Sequence, residues 1–498
     1  MRTRRVVYSN PWVLCLAIAA IYLLFPTKSY YWDGITFAQA IEDASAPNAS
    51  LMHPNHLIYS YAGYFFYRLV RMLGAEVRAI TALQILNSML SAASATMLFV
   101  ILKDGLRSIY LSVCMTLLFA FSATWWKFST DANAYIPSVL FLLVCFYLVL
   151  PDRTPRPLLL GFVFFVALCF HQLAVVAYPV FALGVYLQDG SLTIKRRAVN
   201  SIAFSTTAVV LIVIAYVMAF YFATGTFELV RFWRWTTSFS PDAETAFHFW
   251  SNLGYSLRGQ VRLFFGGRFN LLRGLINPGV VLLLVVFVVA VVSLIAAVLR
   301  NLPSLKRRVR SARLMPQQIT VLLLALVWAF SYLVFLFFWL PQNTFYRVFY
   351  LPALVLLLGL VLAALPQMGE RRTDVVALFV AAVSLANFLF LIYPFSQVEK
   401  YPPLAFAREM NRAWPAGTVV YYAATNSDAQ LVRYFNPQTE WQLLPDQPPS
   451  ASWLETTAID RLSATPQGAQ WLREHMRPDS VRELNTGAHR IRFVQIKF

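Results

Sequence analysis

Apolar runs separated by short polar breaks dominate the chain. They lie near 11–26, 79–102, 108–126, 134–150, 199–223, 276–299, 317–340, 345–365 and 374–394. Crossing about 30 Å of hydrocarbon takes roughly 20 apolar residues in a helix, so each run predicts a membrane-spanning helix. Two further stretches are ambiguous. The 32 residues of 157–188 would make a helix of about 48 Å, too long for one crossing. Their polar break, His171-Gln172, predicts two short helices meeting at His171 on one side of the membrane. The stretch Leu57 to Leu73 is about long enough to cross, but carries Arg68 and Arg71 near its end. It reads as a span or as a helix lying in the interface.

Basic residues decide both cases. With 57–73 interfacial, 157–188 a hairpin and the N-terminus inside, the inner loops hold 18 basic residues against 5 acids. The outer side before residue 397 holds 12 against 8. Changing either choice moves the cluster Lys306–Arg313 outside. The positive-inside bias therefore predicts 11 spans, N-terminus inside and C-terminus outside. The tail is of another kind, with 11 basic and 10 acidic residues and no run of spanning length. Gly417 to Tyr422 reads as a strand, Asp428 to Phe435 as a short helix and Arg490 to Phe498 as a last strand. The expected architecture is an all-α polytopic membrane protein. Its transmembrane domain is 1–396, with outer loops 27–78, 127–133, 224–275 and 341–346. A small extracytoplasmic α/β domain, 397–498, follows.

Composition agrees. Hydrophobic types make up 59% of the chain and charged types 13%, against about 25% charged in soluble domains, which excludes a soluble enzyme and a disordered chain. The net charge of +18 follows from the inner loops and implies a bilayer, not nucleic acid, as partner. Cys15, Cys114, Cys145 and Cys169 all lie inside apolar runs and read as buried thiols. Arg2, Arg4 and Arg5 before the run Trp12 to Phe25 mimic a signal peptide. No small-residue cleavage site follows, so an uncleaved first span is expected. The bias of 34 Arg to 7 Lys suggests a GC-rich bacterial genome and thus a bacterial cytoplasmic (inner) membrane.

Candidate chemistry gathers at the outer helix ends, and no Asp, Glu, Lys or Arg sits near a midplane. Asp33, between Trp32 and Gly34, reads as a partly desolvated carboxylate suited to general base work, or as a helix N-cap. Asp131, in Phe128-Ser129-Thr130-Asp131-Ala132-Asn133-Ala134-Tyr135, allows the same two readings. His53 and His56 straddle Pro54 and are too few for a metal site by themselves. His171 is a polar group in an apolar hairpin, costly unless paired. Arg347 is an interfacial anchor or a bidentate phosphate clamp.

Taken together, this order resembles the GT-C glycosyltransferases, in the branch of protein O-mannosyltransferases and lipid A aminoarabinose transferases. The resemblance covers roughly 1–396. It rests on Tyr31-Trp32-Asp33-Gly34 after the first span, on His53-Pro54-Asn55-His56-Leu57-Ile58-Tyr59 entering an interfacial helix, on the Asp131–Tyr135 stretch and on the His171 hairpin. It implies a polyprenyl-phosphate-linked sugar as donor and an inverting transfer to a glycan, lipid or protein acceptor. Asp33 would be the base and Asp131 would orient acceptor or sugar, or share a divalent cation (Mg or Mn) with Asp33. Arg347, helped by Lys127 or His171, would hold the phosphate. Trp32, Trp125, Trp126 and Tyr346 would stack on the sugar or line the lipid chain, or simply form the interfacial belt. His53, His56 and Tyr135 complete the loop surface. Many relatives carry two adjacent acids where Asp33 stands alone, which leaves base and metal open. The competing classes are a lipid-linked sugar flippase or other carrier and a membrane acyltransferase with His171 as base.

Overall fold

The computed structural model describes residues 10–151, 153–237, 247–310, 314–364, 369–423, 427–445, 453–485 and 490–496. The basic residues before position 10 and part of the fourth outer loop lie outside these. The chain forms two compact units: 1–26 with 36–394, and Thr27–Ile35 with Phe395–Phe498.

The first unit is helical. Its helices are α1 (Pro11–Leu24), α2 (Trp32–Asp43, continuing from the second unit), α3 (Tyr59–Met72), α4 (Ala79–Leu106), α5 (Ile109–Ala120), α6 (Ala123–Ser129), α7 (Tyr135–Leu148), α8 (Pro157–Phe170), α9 (Tyr178–Leu187), α10 (Ile194–Thr224), α11 (Leu229–Thr237), α12 (Phe249–Phe264), α13 (Pro278–Arg310), α14 (Pro316–Trp339), α15 (Leu351–Ala364) and α16 (Gly369–Asn387). Among the described residues, five segments are long and apolar enough to cross a bilayer: α4, α10, Pro278–Arg300 of α13, α14 and Val375–Phe395. The pair α5–α6, bent by 68°, makes a sixth, and five shorter apolar helices accompany them. Helix α3 is not among these. It buries one face (Tyr59, Ser60, Gly63, Tyr64, Tyr67) while Phe65, Leu69 and Met72 are exposed, the pattern of a helix lying along an apolar boundary. The 157–188 stretch breaks at His171, whose extended backbone ends α8 and starts a 3-10 turn over Gln172–Ala177 that runs into α9.

Within apolar helices, polar side chains work on exposed carbonyls of neighbouring breaks. On α4, Gln84, Asn87 and Ser88 share one face at i, i+3 and i+4. Gln84 donates to the Thr130 carbonyl at 2.9 Å, Asn87 to those of Asp131 and Asn133 at 2.9 and 2.8 Å, and Ser88 to that of Ser129 at 3.0 Å. Asn387 does the same at a second knot. Its amide donates to Phe121 O and Phe264 O, both at 2.8 Å, and its oxygen accepts from Gly266 N at 3.0 Å. The helix α8 meets α10 through Gly161, where a Cβ would lie 2.7 Å from Thr207 Cβ and 2.8 Å from the Phe204 carbonyl.

The second unit holds a five-stranded sheet in the order β2-β1-β3-β5-β4, with β1 (Val419–Tyr422), β2 (Glu440–Leu443), β3 (Trp453–Glu455), β4 (Met476–Asn485) and β5 (Arg490–Ile496). Strand β1 runs parallel to β2 and β3, while β5 runs antiparallel to β3 and β4. The two-residue period of strands sends Val420, Trp453 and Phe493 to one face, against Ala407, Met410 and Val432. It sends Tyr421, Leu454 and Val494 to the other, against Ala458, Ile459 and Leu472. The expected strand near 417–422 starts at Val419, the helix from Asp428 starts at Ser427, and the last strand is described to Ile496. The first-loop segment Thr27–Ile35 joins this unit: Lys28 N donates to Phe395 O at 2.6 Å, and the Tyr30 ring lies 4.9 Å from Phe435.

Gly161→Leu should disrupt the α8–α10 contact and cost about 1–3 kcal/mol, the usual penalty for overpacking a close contact. The check is the unfolding midpoint in mixed micelles; an unchanged midpoint would mean that the helices do not pack through this glycine.

Candidate functional site

Between α6 and α7 the chain makes a short polar turn, Ser129 to Ala134, inside the first unit. The α4 residues described above hold its carbonyls. Asn133 closes it from within: its oxygen accepts from Tyr135 N and Ile136 N at 3.2 Å each, and its amide donates to Phe128 O at 2.7 Å. The side chain capping the start of α7 is therefore Asn133, not Asp131. Asp131 is fully buried. Its Oδ2 pairs with Lys127 Nζ at 3.1 Å and its Oδ1 accepts from Ala132 N at 2.9 Å. Buried charge of this kind is tolerated only with such partners. A divalent cation on this carboxylate would have to displace the Lys127 ammonium. Among the described residues no group of three or more His, Cys, Asp or Glu could hold a metal ion.

A second group forms beside the His171 hairpin. The imidazoles of His53 and His56 stack at 4.6 Å, and His56 lies 5.2 Å from His171. Around His171 stand Tyr135 at 5.0 Å, Phe349 at 5.3 Å and Tyr346 at 5.9 Å, with Trp339 stacked on Tyr346 at 5.5 Å. Local geometry explains the convergence. Gln172 and Tyr216 both donate to the Pro54 carbonyl, at 3.0 and 2.6 Å, and Ile58 N donates to Cys169 O at 3.2 Å. These bonds tie the His53–His56 turn to the hairpin. Burial holds the His53 imidazole down at about 4. Burial, together with the facing His171 and His53 rings, holds His56 well below the usual histidine range. These rings are therefore neutral.

Arg347 lies in the turn Phe345–Phe349 and is almost completely buried. Its Nη1 donates to the Tyr350 hydroxyl at 2.9 Å and its Nη2 to the Pro341 carbonyl at 2.7 Å. Its Nε is buried with no hydrogen-bond partner. Gly259 of α12 lies directly against the guanidinium, where a Cβ would collide with Nε. Gln260 also reaches the Tyr350 hydroxyl, at 2.5 Å. No ion pair to a carboxylate of the described residues neutralises this cation.

Asp33 and Trp32 belong to the second unit. Asp33 sits in the first turn of α2, one residue inside the helix rather than at its cap. Burial pushes its carboxyl up to about 6, against a Tyr31 hydrogen bond that pulls it down. Trp32 is partly exposed. The later acid Glu42 is engaged elsewhere: it takes Arg78 bidentately at 2.8 and 2.7 Å and accepts from Ala79 N at the start of α4.

The first unit thus brings His53, His56, His171, Tyr135 and Tyr346 together. It places Lys127 in the last turn of α6, Asp131 in the turn that follows, and Arg347 beside Tyr346 in sequence. Other residues that build these groups, Gln84, Asn87, Gly259 and Tyr350, did not stand out in the sequence. The one visible signal was the helical spacing of Gln84, Asn87, Ser88, Ser91 and Ser94 in an otherwise apolar run.

No family model matches the chain, and no curated protein matches it. Among solved structures, ArnT from Cupriavidus metallidurans in the apo state matches with a TM-score of 0.58 and 11% identity over 97% of each chain. The same protein bound to undecaprenyl phosphate matches with 0.57 and 10%, again over 97% of each. The chain therefore has the ArnT fold across both units, which is the GT-C fold expected from the sequence resemblance.

Asn87→Leu should leave the Asn133 carbonyl buried without this donor, and the Asp131 carbonyl with only the long 3.4 Å bond from the Asn133 amide. At about 1–3 kcal/mol per stranded group, the unfolding midpoint in micelles should drop clearly. Unchanged stability would show that the turn does not depend on α4.

Proposed function

We propose that the chain is an inverting glycosyltransferase that moves a sugar from a polyprenyl-phosphate donor to a glycan, lipid or protein acceptor at the outer face of a bacterial cytoplasmic membrane. The N-terminus would be inside, with the C-terminal α/β domain outside. The observation that carries the reading is Arg347. A buried guanidinium with no carboxylate partner among the described residues, and with Nε unsatisfied, is costly unless an anion completes it. A phosphate monoester is an anion that Arg binds in planar, bidentate fashion. The fold supports the choice, since ArnT with the same fold has been captured with undecaprenyl phosphate.

The chemistry balances without a metal. Asp33 takes a proton from the acceptor hydroxyl or amine as that heteroatom bonds to the anomeric carbon. The bond from that carbon to the phosphate oxygen breaks, and its electron pair leaves with the phosphate. Attack opposite the leaving group inverts the centre. Charge grows on the phosphate in the transition state, where the fixed guanidinium of Arg347 stabilises it without solvent reorganisation. Asp131, locked to Lys127, orients the acceptor or sugar. Trp32 and Tyr346 offer ring faces at the interface.

Two outcomes test this with purified protein and a radiolabelled polyprenyl-phosphate sugar. A base must be ionised, and the Asp33 carboxyl is pushed up to about 6. Transfer should therefore fall about tenfold per pH unit below that value and level off above it. Asp33→Asn should remove that limb and lower kcat by at least about 100-fold; a retained limb with normal transfer would dismiss Asp33 as base. Arg347→Lys keeps the charge but loses the planar fork. It should lower kcat/KM by about 100-fold, and wild-type kinetics from it would remove the phosphate assignment.

A further inference from the structure

Resting on the glycosyltransferase reading, we infer that His53, His56 and His171 with Tyr135 and Tyr346 form an uncharged subsite for the transferred sugar, in which capping bonds fix the imidazole tautomers.

Two backbone bonds fix the imidazoles. Nδ1 of His53 accepts from Asn55 N at 3.2 Å, capping the 3-10 turn Pro54–His56. Nδ1 of His171 accepts from Leu173 N at 3.0 Å, capping the turn Gln172–Ala177. A ring nitrogen that accepts an N–H carries no proton, and a neutral imidazole then carries its proton on the other nitrogen. Both rings are thereby fixed as uncharged Nε2–H donors, each by its own turn. Between them lies His56, 4.6 Å from one and 5.2 Å from the other. Its Nδ1 is buried without a hydrogen-bond partner, an exception of the kind that a bound group usually explains.

Fixed uncharged donors, an unsatisfied ring nitrogen and aromatic faces suit sugar hydroxyls and the apolar C–H faces of a pyranose. They do not suit the phosphate. The cations that would take it, Arg347 and Lys127, lie in the neighbouring turns, and the imidazole group contains none. The same lack of charge makes the subsite selective. A sugar carboxylate there would be buried with no cation to neutralise it. An uncharged hexose should therefore be preferred to a hexuronic acid.

The test separates cap from donor. Asn in place of His keeps a side-chain oxygen to cap the turn but removes the Nε2–H. Binding to full-length protein in nanodiscs would be measured for three probes: polyprenyl phosphate, polyprenyl-phosphate hexose and polyprenyl-phosphate hexuronic acid. Wild type should bind the hexose lipid at least about tenfold more tightly than polyprenyl phosphate, and the hexuronic lipid at least about tenfold more weakly than the hexose lipid. In His171→Asn and His53→Asn the gain from the hexose should shrink about tenfold, with polyprenyl phosphate affinity within about twofold of wild type. A preserved hexose gain, a uniform loss for all three probes, or equal binding of the two sugar lipids would overturn the subsite. Failure of wild type to bind polyprenyl phosphate at all would overturn the glycosyltransferase reading and the subsite with it. His56→Phe, which keeps the ring stack without the nitrogens, provides the second variant: it should lose the hexose gain while keeping the wild-type unfolding midpoint.

Discussion

Carbonyls freed by broken helices must find donors where no water supplies them, and the first unit depends on that constraint. The break between α6 and α7 releases the carbonyls of Ser129, Thr130, Asp131 and Asn133. Three side chains on one face of α4 take them up. In hydrocarbon an unsatisfied peptide group costs several kcal/mol, so irregular backbone survives only where protein partners replace the missing ladder. Once the turn is paired, its side chains are fixed as well. Lys127 meets Asp131, Phe128 packs on Tyr135 at 5.7 Å, and α7 starts from Asn133. Asn387 performs the same service where α5 ends and α12 finishes.

The electrostatics of the first unit divide into a paired and an unpaired part. Asp131 is balanced by Lys127, and Glu42 by Arg78. Each of these charges has an opposite partner within the first unit. Arg347 differs: its partners are a hydroxyl and a carbonyl, both uncharged, and Nε has none. The imidazole group differs in the other direction, being buried and uncharged. A phospho-sugar has the matching polarity, with charge at one end and hydroxyl-bearing carbon at the other.

Much of the architecture was legible in the sequence, because span length and loop charge are one-dimensional quantities. Bilayer thickness sets the run length. The His171 break was visible as a polar dipeptide in a stretch too long for one helix. The amphipathic nature of α3 was visible in Arg68 and Arg71. Less legible was anything that depends on which helices touch. Asn87 looks like a stray amide until the Asp131 turn lies beside it. Gly259 is featureless until Arg347 packs against it. Thr27–Ile35 reads as the start of an outer loop, yet it is grouped with the C-terminal unit through contacts such as Lys28 with Phe395 and Tyr30 with Phe435, which no local pattern announces. Asp131 and Asn133 compete for one capping role only two residues apart, and the choice fell to the residue whose amide could also reach Phe128 O.

The account rests on Arg347 as the seat of the donor phosphate. The direct measurement is an experimental structure of the protein in lipid with polyprenyl phosphate bound. The account predicts phosphate oxygens within hydrogen-bonding distance of the Arg347 guanidinium, with Nε engaged. A phosphate bound elsewhere, with Arg347 still closed onto Pro341 and Tyr350 alone, would contradict it.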